Sequence, residues 1–180
     1  MNNIINKIKK INPRVYIKTN ILFLSFIIGA LINSTLVRFF TVNNYFDIKP
    51  LVADIAVLLI IGAFAYFLKP KNQIRYFFIL SIVLTFLCVL NSIYYTFYSS
   101  FASVSLLSTS VFVVDVGDAV VKNVLQFKDF IYIWYPIALL IVHNFLRKKK
   151  YYDKVSIIEK GKIRAINTLI FSFVLIAVFI

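Results

Sequence analysis

ILFLSFIIGALINSTLVRFF, residues 21–40, carries one charge, Arg38, and otherwise only apolar and small polar side chains. At about 1.5 Å of rise per residue, twenty such residues cover the roughly 30 Å hydrocarbon core of a bilayer. In lipid a segment must satisfy its own backbone, and a helix does so without a partner. The reading is therefore a membrane-spanning helix. Basic residues precede it, as in a secretory signal, but no small-residue cleavage site closes it, which favours a retained helix.

Working outward, the same pattern recurs. Apolar stretches at 51–68, 76–98 and 130–146 read as further spans, and a fifth starts at Ala165 and reaches Ile180. Its sixteen residues would cover only about 24 Å, so the helix is expected to continue past Ile180 and the chain to be a fragment. The expected fold is all-α, a polytopic membrane bundle of five helices. Composition agrees: 61% of the 180 residues are hydrophobic, above the roughly 45–50% of soluble domains.

Charge placement gives the orientation. Sixteen of the twenty Lys and Arg residues fall in the N-terminal segment 1–20, the 69–75 connection and the 147–164 connection. The other side holds Arg38, Lys49, Lys122 and Lys128, together with Asp47, Asp54, Asp115, Asp118 and Asp129. Cytoplasmic loops hold the excess of Lys and Arg, so the N-terminus is expected inside, in a bacterial plasma membrane. A net charge of +13 also suits nucleic-acid binding, but here the basic residues sit at helix ends instead of among base-stacking aromatics on a soluble core. Nucleic acid is not an expected partner.

The long outer connection, 99–127, carries Phe101, Val104, Leu107 and Val111 at steps of three and four, the spacing of an amphipathic helix lying in the interface. Gly117 and Asp118 are expected to break it into two pieces.

Residues that carry chemistry are few. The single cysteine, Cys88, cannot form an intramolecular disulfide or a thiolate metal cage, and the single histidine, His143, is remote in sequence from any carboxylate. The four glycines, Gly29, Gly62, Gly117 and Gly161, stand alone, so no phosphate-cradling loop is present. No catalytic or metal-ligating residue is assigned. Ionisable side chains within spans cost roughly 2.5–3.5 kcal/mol at the helix centre, which singles out Arg38 and Asp54. They stand at similar depth on the first two spans and are within reach as an intramembrane polar pair, unless each extends separately to the interface. Asn91, deeper in the third span, suits an interhelical hydrogen bond. With Tyr95, Ser99, Phe101 and Asp118 it forms a candidate contact surface for lipid or polymer; an aromatic belt at headgroup depth accounts for the rings equally well.

The run from Leu84 to Val142 resembles the lipoteichoic acid synthases, phosphoglycerol transferases of the sulfatase/alkaline phosphatase superfamily in Gram-positive bacteria. The residues that carry the resemblance are Leu84-Thr85-Phe86-Leu87, Asn91, Tyr94 or Tyr95, Phe97, Ser99-Ser100-Phe101, Ser105-Leu106-Leu107, Gly117, Ala119-Val120, Asp129-Phe130 and Tyr132. It implies a membrane anchor and lipid-presenting domain, followed by an extracellular catalytic domain holding manganese and a nucleophilic threonine. It further implies transfer of glycerol phosphate from phosphatidylglycerol to a polymer on a glycolipid anchor. The implied partners are those lipids, the C-terminal domain, and cell-wall synthesis or division proteins. A transporter component, a free-standing scaffold and the membrane domain of a phosphoethanolamine transferase are the competing readings. A reading frame that continues past Ile180 into a metal-binding domain is expected for a transferase, and a stop codon there for a scaffold.

Overall fold

A computed structural model describes residues 20–43, 45–101, 126–151 and 161–179, and every regular element among them is helical. Helix α1 spans Ile21–Thr41, α2 Ile48–Ala63 with a closing 3-10 turn Phe64–Phe67, and α3 Pro70–Tyr98. A 3-10 segment, Phe127–Ile133, leads into α4, Trp134–Lys148, and α5 covers Gly161–Phe179. Four of these stretches are long and apolar enough to cross a membrane: Ile21–Thr41, Ile48–Phe67, Lys71–Thr96 and Phe127–Lys148. The apolar part of α5, Ile163–Val178, is shorter. The bounds depart from hydropathy where a helix runs out of the apolar zone. Helix α3 starts at Pro70 instead of Tyr76, because proline suits the first helical position and the polar first turn lies beyond the reach of an apolarity count. Helix α5 likewise starts at Gly161 instead of Ala165. The last turn of the second span tightens into 3-10 geometry, and the fourth span opens with 3-10 turns.

Helix α1 is central and packs on α2, α3 and α4, while α5 lies on α2 and its 3-10 turn. The core gathers aromatic rings around α1. Phe26, fully buried, meets Phe77 of α3 at 4.7 Å and Tyr135 of α4 at 6.4 Å between centroids. Tyr135 donates its hydroxyl to Phe26 O at 2.9 Å, so a buried phenol is satisfied by a helix carbonyl. Two glycines make the close approaches possible. A Cβ on Gly29 would overlap the Tyr135 ring, and one on Gly62 would overlap Phe23. Small residues at such contacts let helices pack where no hydrophobic driving force separates protein from lipid.

The outward faces are apolar. Ile79, Ile82, Val83 and Phe86 on α3, Ile137 and Ile141 on α4, and Ile166, Ile170, Phe173 and Val178 on α5 are all exposed. A water-soluble protein rarely leaves contiguous apolar patches beyond a few hundred Å², so this surface is built for hydrocarbon. Hydroxyls within the helices fold back on their own backbone: Thr35 on Leu31 O, Thr41 on Val37 O and Thr168 on Arg164 O, at 2.7–2.9 Å. That pairing removes the cost of a bare hydroxyl in lipid.

The helix ends segregate by charge. One end, which we call the basic end, carries Lys69, Lys71, Arg75, Arg147, Lys148, Lys149 and Lys150. All three described carboxylates, Asp47, Asp54 and Asp129, lie at the opposite end.

Candidate functional site

At the end opposite the basic one, α1, α2 and α3 enclose a groove of about 490 Å³. Its lining includes Asn33, Ser34, Arg38, Asp54, Cys88, Asn91 and Phe101. Ser34 and Arg38 are one helical turn apart on α1 and therefore share a face. Arg38 pairs with Asp54 of α2 and donates to Ser34 Oγ at 2.8 Å. Ser34 in turn donates to the same Asp54 oxygen at 2.5 Å. The arrangement neutralises both charges where an isolated one would be costly. It leaves Asp54 Oδ1 and further guanidinium N–H groups for a ligand, since arginine offers five donors. The side chains are 13% and 35% exposed respectively, so the pair sits at the groove wall and not in the core.

Asn33 lies one residue earlier on α1 and is 1% exposed. Its Nδ2 donates to Tyr132 O at 3.0 Å, while its Oδ1 has no partner among the described residues. Pro136 explains why that carbonyl is available. Proline has no N–H, so the helix bond that residue 136 would make to the carbonyl four residues earlier is missing. Nothing in α1 alone marks Asn33; the signal lies in Pro136, three helices away.

A second polar cluster fixes the lip. Asp129, buried, accepts from Ser92 Oγ at 2.6 Å and from the Gln126 backbone N–H at 2.9 Å. Tyr132 donates to Ser92 Oγ at 3.4 Å, and Lys128 Nζ to Thr96 Oγ1 at 3.2 Å. These bonds tie the 3-10 segment to the last turns of α3. Asp129, Ser92 and Tyr132 were not singled out as a cluster from sequence, because they are 37 and 40 residues apart along the chain.

The expected contact residues divide. Arg38 and Asp54 meet, and Asn91 and Phe101 line the same groove as they do. Asn91 Nδ2 donates to Leu87 O of its own helix at 3.0 Å. Tyr95 stands beside the groove and packs against Phe101 with ring centroids 5.1 Å apart. Ser99 plays a backbone role: it ends α3 in the left-handed region, φ 51°, with its N–H on Tyr95 O at 2.9 Å. That reversal turns Phe101 back toward the groove. Asp118 and the amphipathic segment, including Val104, Leu107 and Val111, lie outside the described residues.

No three His, Cys, Asp or Glu side chains gather into a metal site among the described residues. The described carboxylates are engaged as a cap (Asp47), an ion pair (Asp54) and a buried anchor (Asp129).

Fold and groove together define a helical membrane protein with a polar, charge-neutral recess at one end of its bundle. The chain belongs to the lipoteichoic acid synthase N-terminal domain family, whose model matches residues 1–180. A lipoteichoic acid synthase of Staphylococcus saprophyticus is 30% identical over 147 residues, which are 76% of this chain and 22% of that protein. The chain thus spans about a fifth of the length of that relative. No solved structure matches it.

Proposed function

We propose that residues 1–180 are the membrane domain of a lipoteichoic acid synthase that anchors the enzyme and offers its lipid to a catalytic domain outside the membrane. In this reading five helices cross the bilayer, the N-terminus is cytoplasmic, and the groove opens at the outer leaflet. The split of sixteen basic residues on one side to four on the other supports that orientation. The amphipathic spacing within 99–127 supports a role for that segment at the outer interface in positioning headgroup or polymer.

The observation that carries the proposal is the groove itself, together with the family. Phosphatidylglycerol presents a phosphate followed by two hydroxyls. Arg38, although paired with Asp54, keeps N–H donors for phosphate; Asp54, Asn33 Oδ1 and Asn91 supply acceptors and donors for hydroxyls. Phe101 closes one wall with an apolar face. The relative's name supports a role in lipoteichoic acid synthesis; in this reading glycerol phosphate is polymerised onto a glycolipid anchor, with manganese and the nucleophile held outside these residues. Cell-wall synthesis and division proteins are proposed as neighbours of the assembled enzyme.

The test is complementation in a Gram-positive strain depleted of its own synthase, with polymer measured by gel and immunoblot. Arg38→Gln in the full-length protein is expected to lower polymer at least about tenfold, the order of one lost charge-assisted contact. A spacer replacing 102–125 is expected to lower it too. Unchanged polymer in both, at equal protein level, would reduce the domain to a passive anchor.

A further inference from the structure

Asn33 is buried, lines the groove between α1, α2 and α3, and carries an amide oxygen, Oδ1, with no partner among the described residues. Its orientation is fixed from the other side. Nδ2 donates to Tyr132 O at 3.0 Å, a carbonyl to which Pro136 has no N–H to offer. Turning the amide over would set Oδ1 against that carbonyl, oxygen against oxygen, so Oδ1 is the part of the amide left to the groove. Tyr132 is itself held: its hydroxyl donates to Ser92 Oγ at 3.4 Å, and Ser92 donates to the buried Asp129 at 2.6 Å. The network keeps an unused acceptor in place, and buried polar atoms without a partner are rare in folded proteins.

A ligand that brings a donor would satisfy it. An ordinary hydrogen bond replaces one to water and gains little, but Oδ1 is already cut off from water, so a donor there costs the protein no lost solvation. Asn33 and Ser34 are consecutive on α1, about 1.5 Å apart along its axis, and Ser34 accepts from the Arg38 guanidinium. The guanidinium and the amide therefore stand at one level of the bundle. A phosphate on Arg38 and a donor on Asn33 are both met by a headgroup lying across the groove. Leu58 and Leu84 line the groove one turn nearer the basic end than Asp54 and Cys88, and Val57 and Leu87 of the same lining are exposed on the apolar surface. Hydrocarbon below the headgroup has a path there. The donor is a hydroxyl and not an ammonium, because a second cation beside Arg38 is repelled.

We infer that Asn33 is the specificity-determining residue of the groove: Oδ1 accepts from a headgroup hydroxyl of an anionic lipid whose phosphate is on Arg38, and anionic lipids without that hydroxyl are held more weakly. The inference rests on the groove being a lipid site, as proposed above, and adds which lipids it rejects.

The test is a titration of the 180-residue chain in mild detergent with dioleoyl phosphatidylglycerol and dioleoyl phosphatidylethanol, read by native mass spectrometry. The two share charge, phosphodiester and acyl chains, and only the first has headgroup hydroxyls. The parent is expected to bind phosphatidylglycerol at least about tenfold tighter, the order of one hydrogen bond to an otherwise orphaned group. N33L is expected to bind both lipids alike, within about twofold of the parent's affinity for phosphatidylethanol. R38Q is expected to weaken both about tenfold and to keep the difference between them. The comparison of lipids on the parent needs no variant, so it decides even where N33L fails to fold. Equal binding of the two lipids by the parent overturns the inference, and the lipid-site reading survives that result where R38Q still weakens both. No effect of R38Q on either lipid overturns the lipid-site reading and the inference together. A preference that persists in N33L overturns the inference, as does phosphatidylethanolamine bound as tightly as phosphatidylglycerol. Full competition by soluble glycerol phosphate at the lipid's own concentration overturns it as well.

Discussion

Arg38 and Asp54 show how a membrane protein holds charge near its lipid face. Neither side chain is deep enough to be fully desolvated, and Ser34 bridges them from the same turn as Arg38. Asp54→Leu removes the counter-charge and leaves the guanidinium with its serine contact. The expected cost is about 2 kcal/mol, below the roughly 3–5 kcal/mol for breaking a fully buried pair. Adding Arg38→Leu should recover most of it, since replacing both charges by apolar groups is often neutral. Denaturant unfolding in detergent micelles, run as a double-mutant cycle, measures the coupling. Asp129 is the harsher case, because its carboxylate is buried and accepts two hydrogen bonds. Asp129→Leu strands the Ser92 hydroxyl and the Gln126 N–H and is expected to cost about 2–4 kcal/mol in the same assay, from two orphaned polar groups. Sequence made Arg38 and Asp54 visible because a charge inside an apolar run announces itself. Asn33 and Ser92 look like ordinary small polar residues, and only their neighbours give them a role.

Helix contacts turn on two glycines. Gly29 on α1 faces the Tyr135 ring and Gly62 on α2 faces Phe23, in each case too closely for a Cβ. Gly62→Ala is expected to destabilise by about 1–3 kcal/mol through overpacking, and Phe23→Leu in the same chain should relieve much of it. Gly29→Ala should cost a similar amount but resist rescue by Tyr135→Leu, because that change also deletes the hydroxyl bond to Phe26 O. Unfolding midpoints of the four variants decide. Helix α5 illustrates the same economy of contact. Its buried Ser172 donates to Ala56 O of α2 at 2.7 Å, while most of its large side chains are exposed. Ser172→Val is expected to weaken the α5 contact by about 0.6 kcal/mol, typical of such bonds in membranes.

The bundle as a whole separates charge between its ends, and the proposed orientation rests on that separation. In a Cys88→Ser background, single cysteines at Phe46, Phe127 and Lys149, all exposed, report on it. An impermeant thiol reagent on intact cells is expected to label positions 46 and 127 and to reach 149 only after lysis. The reverse pattern would turn the proposed function inside out, moving the Arg38–Asp54 groove to the cytoplasmic leaflet.

Apolar stretches long enough for a bilayer, and the basic residues grouped between them, determined from sequence alone that the chain is helical and built for a membrane. The hydrocarbon leaves a lone segment almost no other way to satisfy its backbone. The segment 84–142 likewise carried enough specific residues to reveal the family, because Asn91, Ser99, Gly117, Asp129 and Tyr132 stand out from the hydrophobicity that any spanning helix shares. Tertiary structure decided which of the small polar residues matter. Asn33 reaches Tyr132 O, to which Pro136 has no N–H to donate, and Ser92 anchors Asp129 across 37 residues of chain. Hydropathy measures each segment against lipid, whereas these contacts depend on how helix faces are rotated against one another, and that is set by packing between segments distant in the chain.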